Sequence, residues 1–272
     1  MRNSELGRSG AVRQLWSEAD SLRQRIADAS AVYAFLSFDA ALAQRASNGH
    51  SRTNPAARAA LIRLCAAPNT RGAVLSSRKA EILQRRLRLH RLAYVGVSGS
   101  DVHAFGLRLV TESNLEDAET AIQKLRRACS RMPALQAEGI ALEDRTWGLV
   151  LHLRNASAVA QVAAAEAFGT VVAGEGLALR RGDDCLEAAP LGTGIALASL
   201  GLLAGLRDAL PIYVGAGEAD EEGFAAMNRR GGITVHVGPP PRPGTAARWQ
   251  VADAGEVIRL IHWVADARRQ SP

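Results

Sequence analysis

A chain of 272 residues, 47% hydrophobic and 22% charged, can bury a core as one large domain or two modest ones, which excludes disordered and collagen-like chains. Aromatic residues make up only 4%, so that core must be Ala, Leu and Val, and stacking platforms for single-stranded nucleic acid are not expected. The 33 basic residues against 27 acidic ones give a net charge of +6, but the basic residues are scattered, almost all arginine, and form no block of five or six like charges; they read as a solvated surface rather than a nucleic-acid footprint.

Cys65, Cys129 and Cys185 lie far apart and are odd in number, against a disulfide framework or zinc spacing and in favour of a reducing, cytoplasmic setting. The first residues mix Arg2, Arg8, Arg13, Arg23 and Arg25 with Glu5, Glu18 and Asp20, without the apolar run of a signal peptide. The longest apolar stretch, 194–206, is too short to span a bilayer, so no membrane is expected among the partners.

In chain order, Leu15, Ala19, Leu22 and Ile26 have helical spacing and predict an amphipathic helix over 13–29. The run AVYAFLSF at 31–38 suits a strand buried on both faces of a parallel sheet. Residues 55–66 return to helical spacing, 72–76 predict a second buried strand, and 77–89 a helix. From about residue 100 the texture changes: 103–111 and 147–154 alternate like half-exposed strands around a charged helix at 115–131, which predicts an α+β layer. After Pro190 the first style resumes, with a helix at 195–206, a strand at 211–214, a helix at 221–228, a strand at 233–237 and a last helix at 255–269. The loop GPPPRPG at 238–244 reads as a stiff surface connection. The expected architecture is thus a parallel α/β core interrupted by an inserted α+β module.

In open α/β sheets ligands bind beyond the carboxyl ends of the strands, so the turns there should carry the chemistry. They read Ser37-Phe38-Asp39-Ala40-Ala41, Ser76-Ser77-Arg78 and Gly215-Ala216-Gly217-Glu218-Ala219-Asp220-Glu221, with Pro190-Leu191-Gly192-Thr193-Gly194 before a helix. Gly215-Ala216-Gly217 is a poor dinucleotide loop: the third glycine is absent, and Glu218, Asp220, Glu221 and Glu222 would repel a pyrophosphate. Within the inserted module stand Leu142-Glu143-Asp144-Arg145 and Leu151-His152-Leu153-Arg154, followed by Leu186-Glu187-Ala188-Ala189-Pro190 and Ile212-Tyr213-Val214-Gly215.

In order, spacing and flanks, over residues 31–264, these segments together resemble the trehalose-6-phosphate phosphatases, a branch of the haloacid dehalogenase superfamily. The resemblance implies a haloacid dehalogenase-like Rossmannoid core at 31–99 and 186–272, an N-terminal helix at 1–30, and an α+β substrate cap at 100–185. It also implies turns of the form D-x-D-G-T, S-G-R, a lysine-glycine pair and G-D-D-x-T-D-E, with magnesium as cofactor. The segments at 142–154 are similar to the cap's E-x-K and H-Y-R pattern, and 186–190 to its L-E-L-R-P turn.

Departures from the family pattern fall where the chemistry needs side chains. Ser37 replaces the nucleophilic aspartate, so an aspartyl-phosphate cannot form there, while Asp39 keeps the second, acid/base position. Ser76 and Arg78 keep the phosphate-binding turn, the lysine has no counterpart, and Ala216 and Gly217 replace the metal aspartates, leaving Asp220 beyond them. Magnesium needs carboxylate ligation that this set does not supply. Phosphate-monoester hydrolysis requires on the order of 20 kcal/mol of catalysis or more, so losing nucleophile, metal and lysine together should leave almost none.

The resemblance assigns sugar handling to Arg145, His152, Arg154 and Glu187, whose charged donors and carboxylate suit a sugar phosphate. The plainer reading is that alternate residues of an open strand face water, with His152 and Arg154 on one face sharing a fate. Asp39 could be an ordinary turn residue, and Ser37 as a substitute nucleophile lacks an evident base. The expectation is a catalytically inactive relative that binds trehalose-6-phosphate or partners trehalose-6-phosphate synthase, without a metal; the alternative is a weakly active phosphatase with a non-standard site.

Overall fold

The computed structural model of the protein describes residues 12–45, 51–99, 101–110, 112–144, 148–181, 184–189, 208–241 and 243–270, together with 199, 201–203 and 206. Strand β1 (Arg13–Gln14) passes through a 3-10 turn into α1 (Ala19–Asp28) and β2 (Ala31–Ser37). A wide helical turn, Phe38–Leu42, opens into the hairpin β3 (Ala43–Arg45) and β4 (Ser51–Thr53). Then come α2 (Pro55–Cys65), β5 (Thr70–Leu75), α3 (Ala80–Leu87) and β6 (Leu92–Gly96). The hairpin β7 (Asp101–Ala104) and β8 (Leu107–Val110) precedes α4 (Glu112–Cys129), β9 (Ala141–Asp144), β10 (Leu149–His152), α5 (Ala158–Gly174), β11 (Ala178–Arg181) and β12 (Cys185–Ala189). The chain closes with β13 (Ala209–Gly215), α6 (Glu218–Arg229), β14 (Ile233–Val237), β15 (Trp249–Val251) and α7 (Ala254–Arg269).

The main sheet runs β1-β15-β14-β13-β2-β5-β6-β7-β8. Its pairs are parallel from β1 to β6, and the last two strands are antiparallel. β2 shows why its sequence is a continuous apolar run: Val32, Ala34 and Leu36 enter the core under α1, α2, α3 and α7, while Tyr33 and Phe35 enter the core under α6. Both faces are covered, as parallel sheets require. A smaller antiparallel sheet, β11-β12-β10-β9, lays Leu149, Leu151, Leu186 and Ala188 on α4 and α5 to form a separate core with Ile122, Leu125, Phe168 and Val172.

Two boundaries differ from the expectation. The alternating segment after residue 100 was assigned to the inserted layer, but β7 and β8 pair with β6 and extend the main sheet; the smaller sheet runs on to Ala189, past the expected break at 185/186. Alternation reports only that one face is exposed, and an edge strand of the main sheet has that property too. The helix expected at 195–206 lies largely outside the described residues, as does Pro190.

Arg268 on α7 ties the amino half together without a carboxylate. It is buried, and its Nη1 donates to the carbonyls of Ile26, Ala27 and Ala29 at 3.0, 3.1 and 2.6 Å, the last turn and exit of α1. Burial pushes its pKa down. Arg268→Met strands these carbonyls, and leaving buried acceptors unsatisfied costs about 1–3 kcal/mol each. The urea midpoint should fall by the equivalent of at least ~2 kcal/mol, and an unchanged midpoint would show that water replaces the guanidinium at no cost.

Candidate functional site

The order β13-β2-β5 puts three carboxyl ends side by side where the chain's progression across the sheet reverses, the place where open α/β sheets bind ligands. Ser37 ends β2 in register with Leu75, the turn Ser76-Ser77-Arg78 follows β5, and Ala216-Gly217 follows β13. Gly96 lets β6 end against the second turn: a Cβ there would lie 2.2 Å from the Ala80 nitrogen and 2.5 Å from the Arg78 carbonyl. The turn is fixed from within by Ser76, whose Oγ accepts the Arg78 amide at 3.2 Å and whose own amide donates to Val95 at 2.9 Å.

Arg78 is the centre of the arrangement. Its side chain is only 7% exposed; Nη1 donates to Asp39 Oδ2 at 2.6 Å and Nη2 to Glu143 Oε1 at 3.2 Å. Glu143 belongs to the small sheet, so this guanidinium joins the two layers. The other oxygen of Glu143 meets His152 Nε2 at 3.0 Å. Arg78 and Arg86 stand 5.7 and 5.9 Å from the centre of the Phe38 ring. Burial first, then the charge of Arg78, lowers the pKa of Arg86, with Asp39 and Glu143 pulling the other way.

Register defines what else shares that face. Glu143 lies opposite Val150, Val150 opposite Glu187, and Glu187 opposite Arg180, while His152 lies opposite Cys185. The leucines between them point to α4 and α5. The Arg181 amide at the end of β11 donates to Glu218 Oε2 at 2.7 Å, and Glu143 reaches Arg78, so this face looks toward the carboxyl edge of the main sheet.

Asp220 is spent on its own turn. It is buried, Oδ2 accepts the amides of Ala216 and Gly217 at 2.9 and 3.1 Å, and Oδ1 accepts the Tyr213 hydroxyl at 3.0 Å. Gly215 is required beneath it, since a Cβ would fall 2.2 Å from the carboxyl carbon. Burial raises the pKa of Asp220 against those hydrogen bonds, and burial with Asp220 beside it raises that of Tyr213 well above the usual value.

Of the residues expected from sequence, Asp39, Arg78 and His152 come together, with Ser37 and Ser76 at the adjoining strand ends. Arg154 departs: β10 stops at His152, so the alternation that linked the two ends there, and Arg154 turns outward to Asp184 at 2.6 Å. Arg145 lies outside the described residues. Glu143 and Arg86 were not singled out; the acidic position of the 142–145 pattern was the available signal for Glu143, and nothing in the sequence marked Arg86.

The trehalose-phosphatase family model matches residues 35–254. The chain belongs to the trehalose-phosphatase family. A trehalose-6-phosphate phosphatase of Escherichia coli (strain K12) is 29% identical over 137 residues, half of this chain and half the length of that relative. The C-terminal domain of the Candida albicans trehalose-6-phosphate phosphatase superposes with a TM-score of 0.77 at 14% identity, over 94% of this chain and 99% of that one. The C-terminal domain of a C. albicans trehalose synthase regulatory protein gives 0.65 at 13% identity, over 93% and 100%. This trehalose-phosphatase family member has the haloacid dehalogenase-like fold, a mainly parallel α/β core with helices on both faces.

The donor set here does not fit the magnesium that the family resemblance implies. Ala216 and Gly217 offer no side-chain oxygen, Asp220 has both oxygens engaged in its buried turn, and Asp39 is paired with Arg78. Among the described residues no group of three or more His, Cys, Asp or Glu is placed to hold a metal ion.

The raised pKa of Asp220 makes stability depend on pH. A carboxyl whose native pKa is raised binds its proton more tightly in the folded chain, so its contribution to stability falls as pH rises from the usual aspartate range toward the native value. Asp220→Asn removes that slope, its amide oxygen still able to accept from Ala216 and Gly217. Urea midpoints between pH 4 and 8 should show wild type losing stability relative to Asp220→Asn as pH rises; parallel curves would mean that Asp220 does not titrate with raised affinity.

Proposed function

We propose that this trehalose-phosphatase family member is a catalytically inactive relative that binds a sugar phosphate, trehalose-6-phosphate first among candidates, and serves as a regulatory subunit rather than as a hydrolase. The observation that carries the reading is the pairing of Arg78 with Asp39 and Glu143 beside strand ends, Ser37 and Ala216-Gly217, that offer no carboxylate. The acid/base position is paired with a cation, and Ser37 brings a hydroxyl where the family pattern has a carboxylate.

Binding by such a site is an exchange of partners. A phosphate dianion competes with Glu143 for the Arg78 guanidinium, where bidentate oxygen contacts are strong. Glu143, once displaced, can turn with His152 and Glu187 toward sugar hydroxyls on the same cap face. Ligand binding is then coupled to the contact that joins cap and core, which is how a binder without chemistry can report its ligand to another protein. A fold of this kind also occurs in the trehalose synthase regulatory protein of C. albicans, which supports the regulatory reading and makes trehalose-6-phosphate synthase the partner to test.

Phosphate release from trehalose-6-phosphate with magnesium should stay at the level of a heat-treated control, while calorimetry without magnesium detects binding. Arg78→Ala should weaken that binding about tenfold or more, the scale of a lost charge-assisted hydrogen bond. Magnesium-stimulated turnover by protein free of host phosphatase would replace this reading with that of a weak phosphatase using a non-standard site.

A further inference from the structure

At the opposite, amino edge of the main sheet lies a second concavity of about 540 Å³, within the size range of small-molecule pockets. Its wall includes Asn69, Arg71, His90, Arg91, Phe105 and Leu206, and no acidic residue is among its described lining. Gly72 faces Leu92 across the β5–β6 ladder, which sets Arg71 beside Arg91 at the strand starts. Elsewhere the chain's arginines repeatedly pair with carboxylates, as in Arg13–Glu18, Arg126–Asp144 and Arg154–Asp184. Here neither Arg71, His90 nor Arg91 has a carboxylate partner among the described residues. Like charges crowded into one hollow without counter-charge favour an anion.

The ring beside them is placed at a backbone cost. Phe105 and Gly106 form the turn of the β7–β8 hairpin, between paired Ala104 and Leu107, with φ of +52° and +82°. Asn, Asp or Gly is the usual occupant of such a left-handed turn position, and a bulky side chain there is an outlier. Core packing does not account for it, because Phe105 remains 49% exposed. The Arg71 guanidinium lies 4.9 Å from its ring centre. On the neighbouring strand Tyr33, in register with Arg71, has a buried hydroxyl with no hydrogen-bond partner among the described residues, a spare donor in the same neighbourhood. Strained positions that packing does not explain concentrate at ligand sites.

We propose that this amino-edge cleft binds a nucleoside phosphate, its phosphate held by Arg71 and Arg91 and its base laid against Phe105. The paired arginines supply the bidentate donors that phosphate oxygens accept, and an exposed aromatic face supplies a stacking surface indifferent to which base it meets. The cleft lies at the opposite end of the strands from Arg78, so the two sites are separable.

Thermal-shift titration and calorimetry of the whole chain with adenosine 5′-diphosphate, adenosine and inorganic phosphate test the assignment. The diphosphate should raise the melting temperature in a concentration-dependent way and bind at least about tenfold more tightly than adenosine or phosphate alone. Arg71→Gln and Arg91→Gln should each weaken it about tenfold or more. Phe105→Asn is the sharper variant: it should weaken binding by about tenfold while leaving the unliganded melting temperature unchanged or higher, since Asn tolerates the turn. Arg78→Ala should have no effect on this binding. Absence of any shift at millimolar diphosphate, equal affinity for inorganic phosphate, binding that survives Phe105→Asn, or binding abolished by Arg78→Ala would each overturn the proposal.

Discussion

A guanidinium withdrawn from water must find counter-charge, and Arg78 finds it in two layers at once. Asp39 comes from the turn after the central strand of the main sheet and Glu143 from the edge strand of the small sheet. Removing one partner of a buried pair leaves an uncompensated charge that costs about 3–5 kcal/mol, whereas the complete pair is worth far less against an apolar substitute. The arrangement therefore specifies geometry more than it adds stability: it states where the cap face sits over the strand ends, and it sets the competition that a ligand's phosphate must win.

The residues that hold the fold are not those at the strand-end turns. Apolar strands β2, β5 and β13, buried on both faces, hold the parallel sheet, and the glycines at 96 and 215 let neighbouring turns approach closely. None of this depends on what stands at Ser37 or Ala216. Asp220 shows a carboxylate beside the strand ends serving the fold alone, with three hydrogen bonds that shape the start of α6. At these strand ends the turn before α6 is capped by Asp220, and Asp39 is paired with Arg78.

The sequence was legible where burial imposes a pattern. β2 shows as an apolar run because both its faces are covered, and α7 shows helical spacing because only one of its faces is. The strand after α3, the short β15 and helix α5 are not marked in the sequence: β15 is only three residues long, and α5 is Ala- and Val-rich on every side, so periodicity has no contrast to register. The hairpin at 101–110 was read as strand and placed in the wrong sheet, because alternation gives a facing and not a neighbour. At the site, Asp39, Arg78 and His152 were found through the motifs around them. Glu143 and Arg86 escaped because their roles are set by partners distant in sequence: Glu143 lies 65 residues from the arginine it pairs with. The alternation that paired Arg154 with His152 ends with the strand, two residues before Arg154.

The central claim is that Arg78 and Glu143 couple the two layers, and a double-mutant cycle measures that coupling directly. Arg78→Met, Glu143→Gln and the double variant, unfolded in urea at neutral pH, isolate the pairwise energy from the separate effects of each substitution. The account expects non-additivity of at least about 1 kcal/mol, within the range found for residues in one ion-pair network. Additivity to within about 0.3–0.5 kcal/mol, the behaviour of independent sites, would mean that cap and core are held by something other than this guanidinium.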